Sequence, residues 1–495
     1  MKKALILTLD MGTSSVRAMI FDTRGRALPG AEVQSAYAQT TTADGGVETD
    51  AEQLLALTVD CLKQLLRKTD QETRGRLAGV GLSCFWHSLV GVGENGKAVT
   101  PLFSWADTRA LGQAETLKSE MDPNAYHKRT GCVLHPCYWP AKLRWLQEMQ
   151  PEQFGKARIW MSFGEYLQLR LFGSVTCSLS MASGTGLLNQ NTREWDPQTL
   201  TDLPIDLHQL NTLDDKAAPS GLGKEWSKTL APLNDLPWFP ASGDGACSNV
   251  GSGAVDASRI AINVGTSGAM RVAIKADHID IPDELFCYRV DNERFLVGGA
   301  FANGGNVYAW AQRTLQVGDR KAAGKAVAAL PPDGHGLTVL PFWAGERSPG
   351  WHAGARAAIL GMNLHTTPAE MLRASLEAVA YQFADVYDIL IKQYPSAIQS
   401  VASGGAIVGD PDWAQMMADS MGVPITASRV GEATSRGAGL LALSALGHIE
   451  DLDSVPAFLW KTYTPDPARH AVYTKARARQ AALYAEMLDK ISASA

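Results

Sequence analysis

At 495 residues the chain exceeds what one ordinary hydrophobic core holds, and two domains of roughly 250 residues each are expected. A net charge of −6, with 45% apolar and 19% charged residues, argues against a nucleic-acid binder, which needs a basic face to meet phosphates. No apolar run approaches the roughly 18–20 residues of a membrane-spanning helix.

The start, Met1-Lys2-Lys3-Ala4-Leu5-Ile6-Leu7, has the outline of a signal peptide. Asp10 breaks the apolar stretch at once and no small-residue cleavage site follows, so the segment reads as the first strand of the fold. Residues 5–10 and 16–22 read as two strands joined by the small-residue turn Met11-Gly12-Thr13-Ser14-Ser15. Leu55, Val59, Leu62 and Leu66 recur at helical spacing and predict a helix over 52–68. Strands follow at 78–83 and 89–92, and this alternation of β-rich runs with amphipathic helices indicates α/β layers. Gly91-Val92-Gly93-Glu94-Asn95-Gly96 fits a dinucleotide fingerprint by letter, but Asn95-Gly96 is a hairpin pair and no helix follows. No G-x-x-x-x-G-K-[ST] phosphate loop is present.

Ile262-Asn263-Val264-Gly265-Thr266-Ser267 echoes Leu9-Asp10-Met11-Gly12-Thr13-Ser14 half a chain earlier, which suggests two related domains. The glycine-rich stretch 243–253 suggests a domain boundary near 245–255. Thr367-Pro368-Ala369-Glu370 is a capping box that opens a helix carrying Leu372, Leu376, Val379, Phe383 and Val386 on one face. Asp410-Pro411 opens another helix, and 468–494 reads as a charged outer helix. Seven cysteines, odd in number and without C-x-x-C spacing, read as reduced thiols of a cytoplasmic protein. Cys132, His135 and Cys137 lack a second ligand pair and are not read as a metal site.

Four stretches carry chemistry. The turn from Asp10 to Arg17 offers close backbone approach, hydroxyls and a cation to phosphate oxygens, with Asp10 placed to hold magnesium. Asp244, between Gly243 and Gly245 in what reads as an open, flexible segment, is a candidate general base for a hydroxyl. Phe85-Trp86-His87-Ser88 and Phe103-Ser104-Trp105-Ala106-Asp107-Thr108-Arg109 mix aromatic faces with hydrogen-bonding groups, which suits a polyol. Ala402-Ser403-Gly404-Gly405-Ala406 would let a nucleotide lie against the backbone.

Taken together these stretches resemble the FGGY carbohydrate kinases over residues 4–450. Tyr138-Trp139-Pro140-Ala141-Lys142-Leu143-Arg144-Trp145-Leu146 is similar to the family's first signature, and the stretch from Ala358 to Glu377 to its second. Within the family the chain is most similar to gluconate kinases. The stretches that carry this are Trp86-His87-Ser88-Leu89, 104–109, 129–136, 182–189, 242–245 and Ala344-Gly345-Glu346-Arg347-Ser348-Pro349. Trp86, Phe103 and Cys132 depart from the family's usual residues. The resemblance implies two actin-like (ribonuclease H-like) ATPase domains with a catalytic cleft between them. Residues 1–247 would be the sugar-binding domain with the base, and 248–495 the nucleotide-binding domain. It implies Asp244 and Asp10 as catalytic residues and as the holders of Mg²⁺, with Trp86, His87, Asp107, Arg109 and Asp244 on the sugar. Thr13, Ser14, Ser15, Arg17, Thr266, Gly305, Gly404, Gly405 and Gly409 would meet ATP, and Arg109 is assigned to a sugar carboxylate from its charge alone. The implied reaction moves the γ-phosphoryl group of ATP to a primary hydroxyl of an open-chain sugar or sugar acid, D-gluconate first, in a homodimer. The alternatives are xylulose or another pentulose or polyol, and, from a different class, an actin- or chaperone-like ATPase with no sugar substrate.

Overall fold

Seven consecutive buried residues, Leu5–Met11, form a strand with neighbours on both edges, β1. It pairs antiparallel with β2 (Ser15–Asp22), and β2 with β3 (Ala27–Ala36). After α1 (Ala51–Lys68), whose N-terminus is capped by the Asp50 carboxylate, the chain returns as β4 (Leu77–Cys84), parallel to β1. A last short strand, β5 (Ser242–Gly243), lies parallel to β4, giving the order β5-β4-β1-β2-β3. The computed structural model describes residues 4–492, without the side chains of 406, 489, 491 and 492. Met1-Lys2-Lys3 and the end of the expected outer helix, 493–494, lie outside the described residues.

The sequence echo is structural. β6 (Arg259–Val264) and β7 (Gly268–Lys275) form a second hairpin, joined like β1 and β2 by a three-residue turn. With β8 (Phe286–Arg289), β9 (Arg294–Phe301), β10 (Gln399–Gly405), β11 (Ile425–Ser428) and β12 (Leu459–Tyr463) they build a seven-stranded sheet ordered β8-β9-β7-β6-β10-β11-β12. In both sheets the first hairpin strand runs parallel to a later one, β1 with β4 and β6 with β10. Asn95-Gly96 turns a hairpin as expected: the Gly93 N–H donates to Lys97 O, and Gly96 has φ 70°.

Helices cover both sheets. Those used below are α2 (Asp244–Ser252), α3 (Gly305–Leu315), α4 (Pro368–Gln393), α5 (Pro411–Met421), α6 (Ala433–Ala445) and α7 (Pro467–Ser492). The Thr367–Glu370 capping box is present at α4, and the Asp410 carboxylate accepts from Trp413 N–H at α5. Each sheet has its own hydrophobic core, but Phe286 and Tyr288 of β8 pack into the first.

The glycine-rich stretch 243–253 is not a flexible linker. It is the buried helix α2, and its small residues serve close packing against α6. A Cβ at Gly251 would stand 1.7 Å from Ala433 O, and one at Gly437 1.8 Å from Cys247 O. We therefore expect Gly251→Ala to lower the unfolding free energy by about 1–3 kcal/mol through overpacking. Gly112→Ala, exposed on the helix Leu111–Glu120 with no atom within 4 Å of the added carbon, should instead gain about 0.5–1 kcal/mol. Denaturant melts of the two variants, read by circular dichroism, check the opposite signs.

Candidate active site

Strand register assembles the two acids. Asp10 on β1 lies opposite Ser83 on β4, and Ser83 lies opposite Ser242 on β5. Asp244 follows at the first turn of α2, so the acids leave parallel strands two spacings apart, about 10 Å between backbones. Asp10 is buried, and burial pushes its carboxyl up to about 7, against the Ser83 side chain beside it and the charge of Arg17. Asp244 is raised by burial too, opposed first by the nearby Arg271, and one of its carboxylate oxygens accepts from Gly245 N–H at 2.8 Å.

Trp86 explains the glycines around Asp244. Its indole N–H donates to Ser180 O at 2.8 Å, and its rings lie where side chains at 243 and 245 would be. A Cβ on Gly243 would stand 1.9 Å from the indole, and one on Gly245 2.5 Å. The pair of glycines thus makes room for an aromatic wall, and the segment is ordered, contrary to the expectation of an open, flexible one. His87 shares a hydrogen bond with Gly184 O through Nδ1 at 2.5 Å, and burial, then the charge of Arg347, holds its pKa well below the usual range. A neutral ring donating from Nδ1 leaves Nε2 as an acceptor. Tyr288 of β8 meets Trp86 at 4.8 Å between ring centres and bonds Tyr138 hydroxyl to hydroxyl at 2.6 Å.

Arg109 is corrected by its surroundings. It is ion-paired to Asp107 at 2.5 Å and to Glu48 at 2.6 Å, and it stacks 4.7 Å over Trp145. Its charge is matched, so it is not the free arginine expected for a sugar carboxylate. Asp107 is fixed by the same bond and by Val47 N–H at 3.1 Å. Asp107 lines a cavity of about 320 Å³ with Trp105, His135, Arg347, Thr266 and Asn306. Larger hollows of about 480 and 530 Å³ lie elsewhere, one beside Phe239 and Leu441, the other beside Phe21 and Phe458.

The residues expected to meet nucleotide fall into two turns. In the first, Gly12 N–H donates to Ser15 O, Tyr37 N–H to Ser14 O, and Gln34 to the Ser15 hydroxyl, while Thr13 and Ser14 keep exposed surface. Arg17 is ion-paired with Glu432 just ahead of α6, so its guanidinium is not free for phosphate there. In the second, Gly305 N–H donates to Gly265 O at 2.7 Å and Asn306 N–H to Thr266 O, seating the turn on the start of α3. Register sets Gly404 and Gly405 beside Asn263 and Val264. Gly405 has φ 76°, and a Cβ there would stand 2.0 Å from Val264 O. Gly409 ends the short helix Ala406–Gly409; a Cβ added to it would meet no described atom within 4 Å, so it does not share that close approach.

Sequence reasoning missed Arg271, Tyr288 and Ser435, and left Arg347 without a role. Arg271 gave a signal, a lone charge inside the apolar strand Gly268–Lys275. Ser435 gave none: its hydroxyl reaches Asp10 at 3.5 Å from 425 positions away. A cluster of Asp333, His335 and Glu377 has metal-like spacing. Its bonds are already used within the protein, because Glu377 accepts from Arg373 at 2.5 Å, His335 at 3.0 Å and Tyr473 at 3.2 Å.

The raised Asp10 carboxyl has a consequence for stability. Its folded pKa exceeds the ordinary value, so the fold favours the protonated form; that stabilisation is complete below about pH 4 and is lost as pH rises through about 7. Asp10→Asn removes the ionisation penalty. The ligand-free variant should be more stable than the parent by on the order of 1–3 kcal/mol at pH 8, with the gap narrowing below pH 7 and closing only near pH 4. Thermal melts across that range test this, and a constant gap would contradict it.

Comparison with known proteins agrees with this geometry. Residues 5–251 match the N-terminal domain and residues 260–446 the C-terminal domain of the FGGY family of carbohydrate kinases. A gluconokinase of Bacillus subtilis (strain 168) is 27% identical over 477 residues, covering 93% of this chain and 91% of the relative. The crystal structure of a gluconate kinase from Lactobacillus acidophilus superposes with TM-score 0.91 at 28% identity, over 100% of both chains. A ligand-bound xylulose kinase from the same organism gives TM-score 0.91 at 29% identity, over 99% of this chain and 100% of that one. With both halves matched in order, and the paired hairpins and cleft in place, the chain belongs to the FGGY family of carbohydrate kinases.

Proposed function

We propose that the protein transfers the γ-phosphoryl group of ATP to a primary hydroxyl of an open-chain sugar acid, converting D-gluconate to 6-phospho-D-gluconate. The observation that carries this reading is Asp244. It is a carboxylate of raised proton affinity at the first turn of α2, flanked by two glycines that the Trp86 indole packs against. A base whose pKa is raised toward the working pH can both ionise and accept a proton. In the reaction Asp244 takes the proton of the attacking hydroxyl as its oxygen forms the bond to the γ-phosphorus. The bond from that phosphorus to the bridging oxygen breaks and ADP leaves.

The sugar side is assigned to residues 1–247, through Trp86, His87 and Asp107, and the nucleotide side to 248–495. Thr266, Gly305, Gly404, Gly405 and Gly409 would meet the nucleotide, with Thr13, Ser14 and Ser15 facing its phosphates. Arg17 would join them only on release from Glu432. Asp10 suits a hard divalent cation, being a buried carboxylate with no ion pair among the described residues, and Asp10 with Asp244 would hold Mg²⁺. When bound, Mg²⁺ offsets the phosphate charge. A cytoplasmic location, where ATP and reduced thiols coexist, belongs to the same reading, as does a homodimer; all seven cysteines are unpaired. No described helix is long and apolar enough to cross a membrane.

A second reading, xylulose or a related ketose as acceptor, is favoured by the equal similarity to the xylulose kinase structure. An ADP-release assay across gluconate, xylulose, ribulose and glycerol separates the two. A fast ketose with silent gluconate overturns the substrate, and no turnover above the sugar-free background overturns the sugar kinase and favours an ATPase without sugar. Asp244→Asn should lose roughly 10²–10⁴-fold in kcat while nucleotide affinity holds. Near-normal turnover would remove Asp244 from its role.

A further inference from the structure

The cations around the cleft divide into two groups. Arg17 is paired with Glu432, and Arg109 with Asp107 and Glu48. Lys142 donates its ammonium to the carbonyls of His87 at 3.0 Å and Cys137 at 2.8 Å. Arg271 and Arg347 form no ion pair among the described residues, and in each the Nε–H is sealed from solvent without an acceptor. Leaving such a donor unmade is costly, and Arg17 and Arg294, which share this feature, are ion-paired while Arg271 and Arg347 are not.

The two arginines flank one aromatic cluster. The Arg271 guanidinium lies 2.9 Å from where a Cβ on Gly245 would be, next to the base. The Arg347 guanidinium stands 5.8 Å from the ring centre of Trp105 and 5.7 Å from that of Trp351, on the cavity wall. Trp86 beside Arg271 meets Tyr288 at 4.8 Å, Tyr288 bonds Tyr138, and the Tyr138 ring lies 6.4 Å from that of Trp351 beside Arg347; the positive charge of Arg347 reaches Arg271. Asp244 supports the charge of Arg271 without an ion pair, and Arg347 has no ion pair among the described residues, so an anion placed between the two gains from both. The planar fork of a guanidinium fits a carboxylate with two parallel hydrogen bonds.

We propose that Arg271 and Arg347 are the receptor for the carboxylate of the acceptor, and so select open-chain sugar acids over neutral sugars. This rests on the sugar-acid reading above and names the residues that enforce it. The same chemistry could serve the transferring phosphoryl group of ATP, and the test separates the two sources.

Gluconate and a non-hydrolysable ATP analogue are titrated separately, by calorimetry, into the parent and into Arg271→Gln, Arg347→Gln and Arg347→Lys. Gluconate affinity should fall about 100-fold or more in the glutamine variants. Nucleotide affinity should stay within about twofold, and lysine at 347 should recover part of the loss, since it keeps the charge without the fork. Gluconamide, the neutral isostere, is titrated into the unaltered protein, so the idea is tested even where a variant does not fold. It should bind about 100-fold more weakly than gluconate. Equal binding of gluconate and gluconamide overturns the proposal, and so does a variant that loses nucleotide while keeping gluconate, which would assign the pair to phosphate. If the parent neither binds nor phosphorylates gluconate yet uses a ketose, the substrate reading has failed first. If it uses gluconate and the variants bind it normally, only the receptor assignment has failed.

Discussion

The backbone-to-backbone approach of α2 and α6 is the constraint on which the site depends. Asp244 opens α2, while Ser435, which reaches Asp10, sits on α6, so the helix pair holds both acids at the spacing that strand register sets. No side chain separates them at Gly251 and Gly437. The same economy extends below: a Cβ on Gly81 of β4 would stand 2.3 Å from Ala438 O. Arg436, buried on α6, donates to the carbonyls of Gly25, Gly251 and Pro456 and stacks 4.7 Å from the centre of the Phe458 ring. Burial lowers its pKa only to about 10, so the charge that ties three distant segments persists at neutral pH.

Within that frame the cleft trades stability for chemistry. Asp10 and Asp244 are both raised by burial, and Arg271 is lowered by it, so burial disfavours the charged form of each. Such groups are poised to gain when ligands supply counter-charges, which is how a site prepares for a phosphoryl group and an acceptor. The Trp86 wall is fixed meanwhile by its indole bond and by three glycines, at 184, 243 and 245, that leave it room.

Local signals were readable in the sequence. The capping box at Thr367, the turn at Asn95-Gly96 and the strand echo at Gly265-Thr266 depend on neighbours a few positions away, and all three formed. The open, flexible backbone expected around Asp244 is instead the start of α2, because glycine permits flexibility and close packing alike, and only the distant α6 decides between them. Arg109 and Arg271 show the same limit for charge. Their sequence contexts do not reveal that Glu48 neutralises the one while no described acid forms an ion pair with the other. Asp244 was legible as a lone carboxylate beside glycines, but the indole that explains those glycines lies far back in the chain.

β8 belongs to two bodies at once. Its ladder to β9 ties it to the second sheet, while Cys287 N–H donates to Gly131 O, Arg289 N–H to the Ser183 hydroxyl, and His127 bonds Leu285 O at 2.7 Å. The halves are also fastened by α2 against α6, by Arg436 on Gly25 and by Arg17 on Glu432. The aromatic wall beside Trp86 is thus completed by Tyr288, a residue of the second sheet, so neither half builds that wall alone.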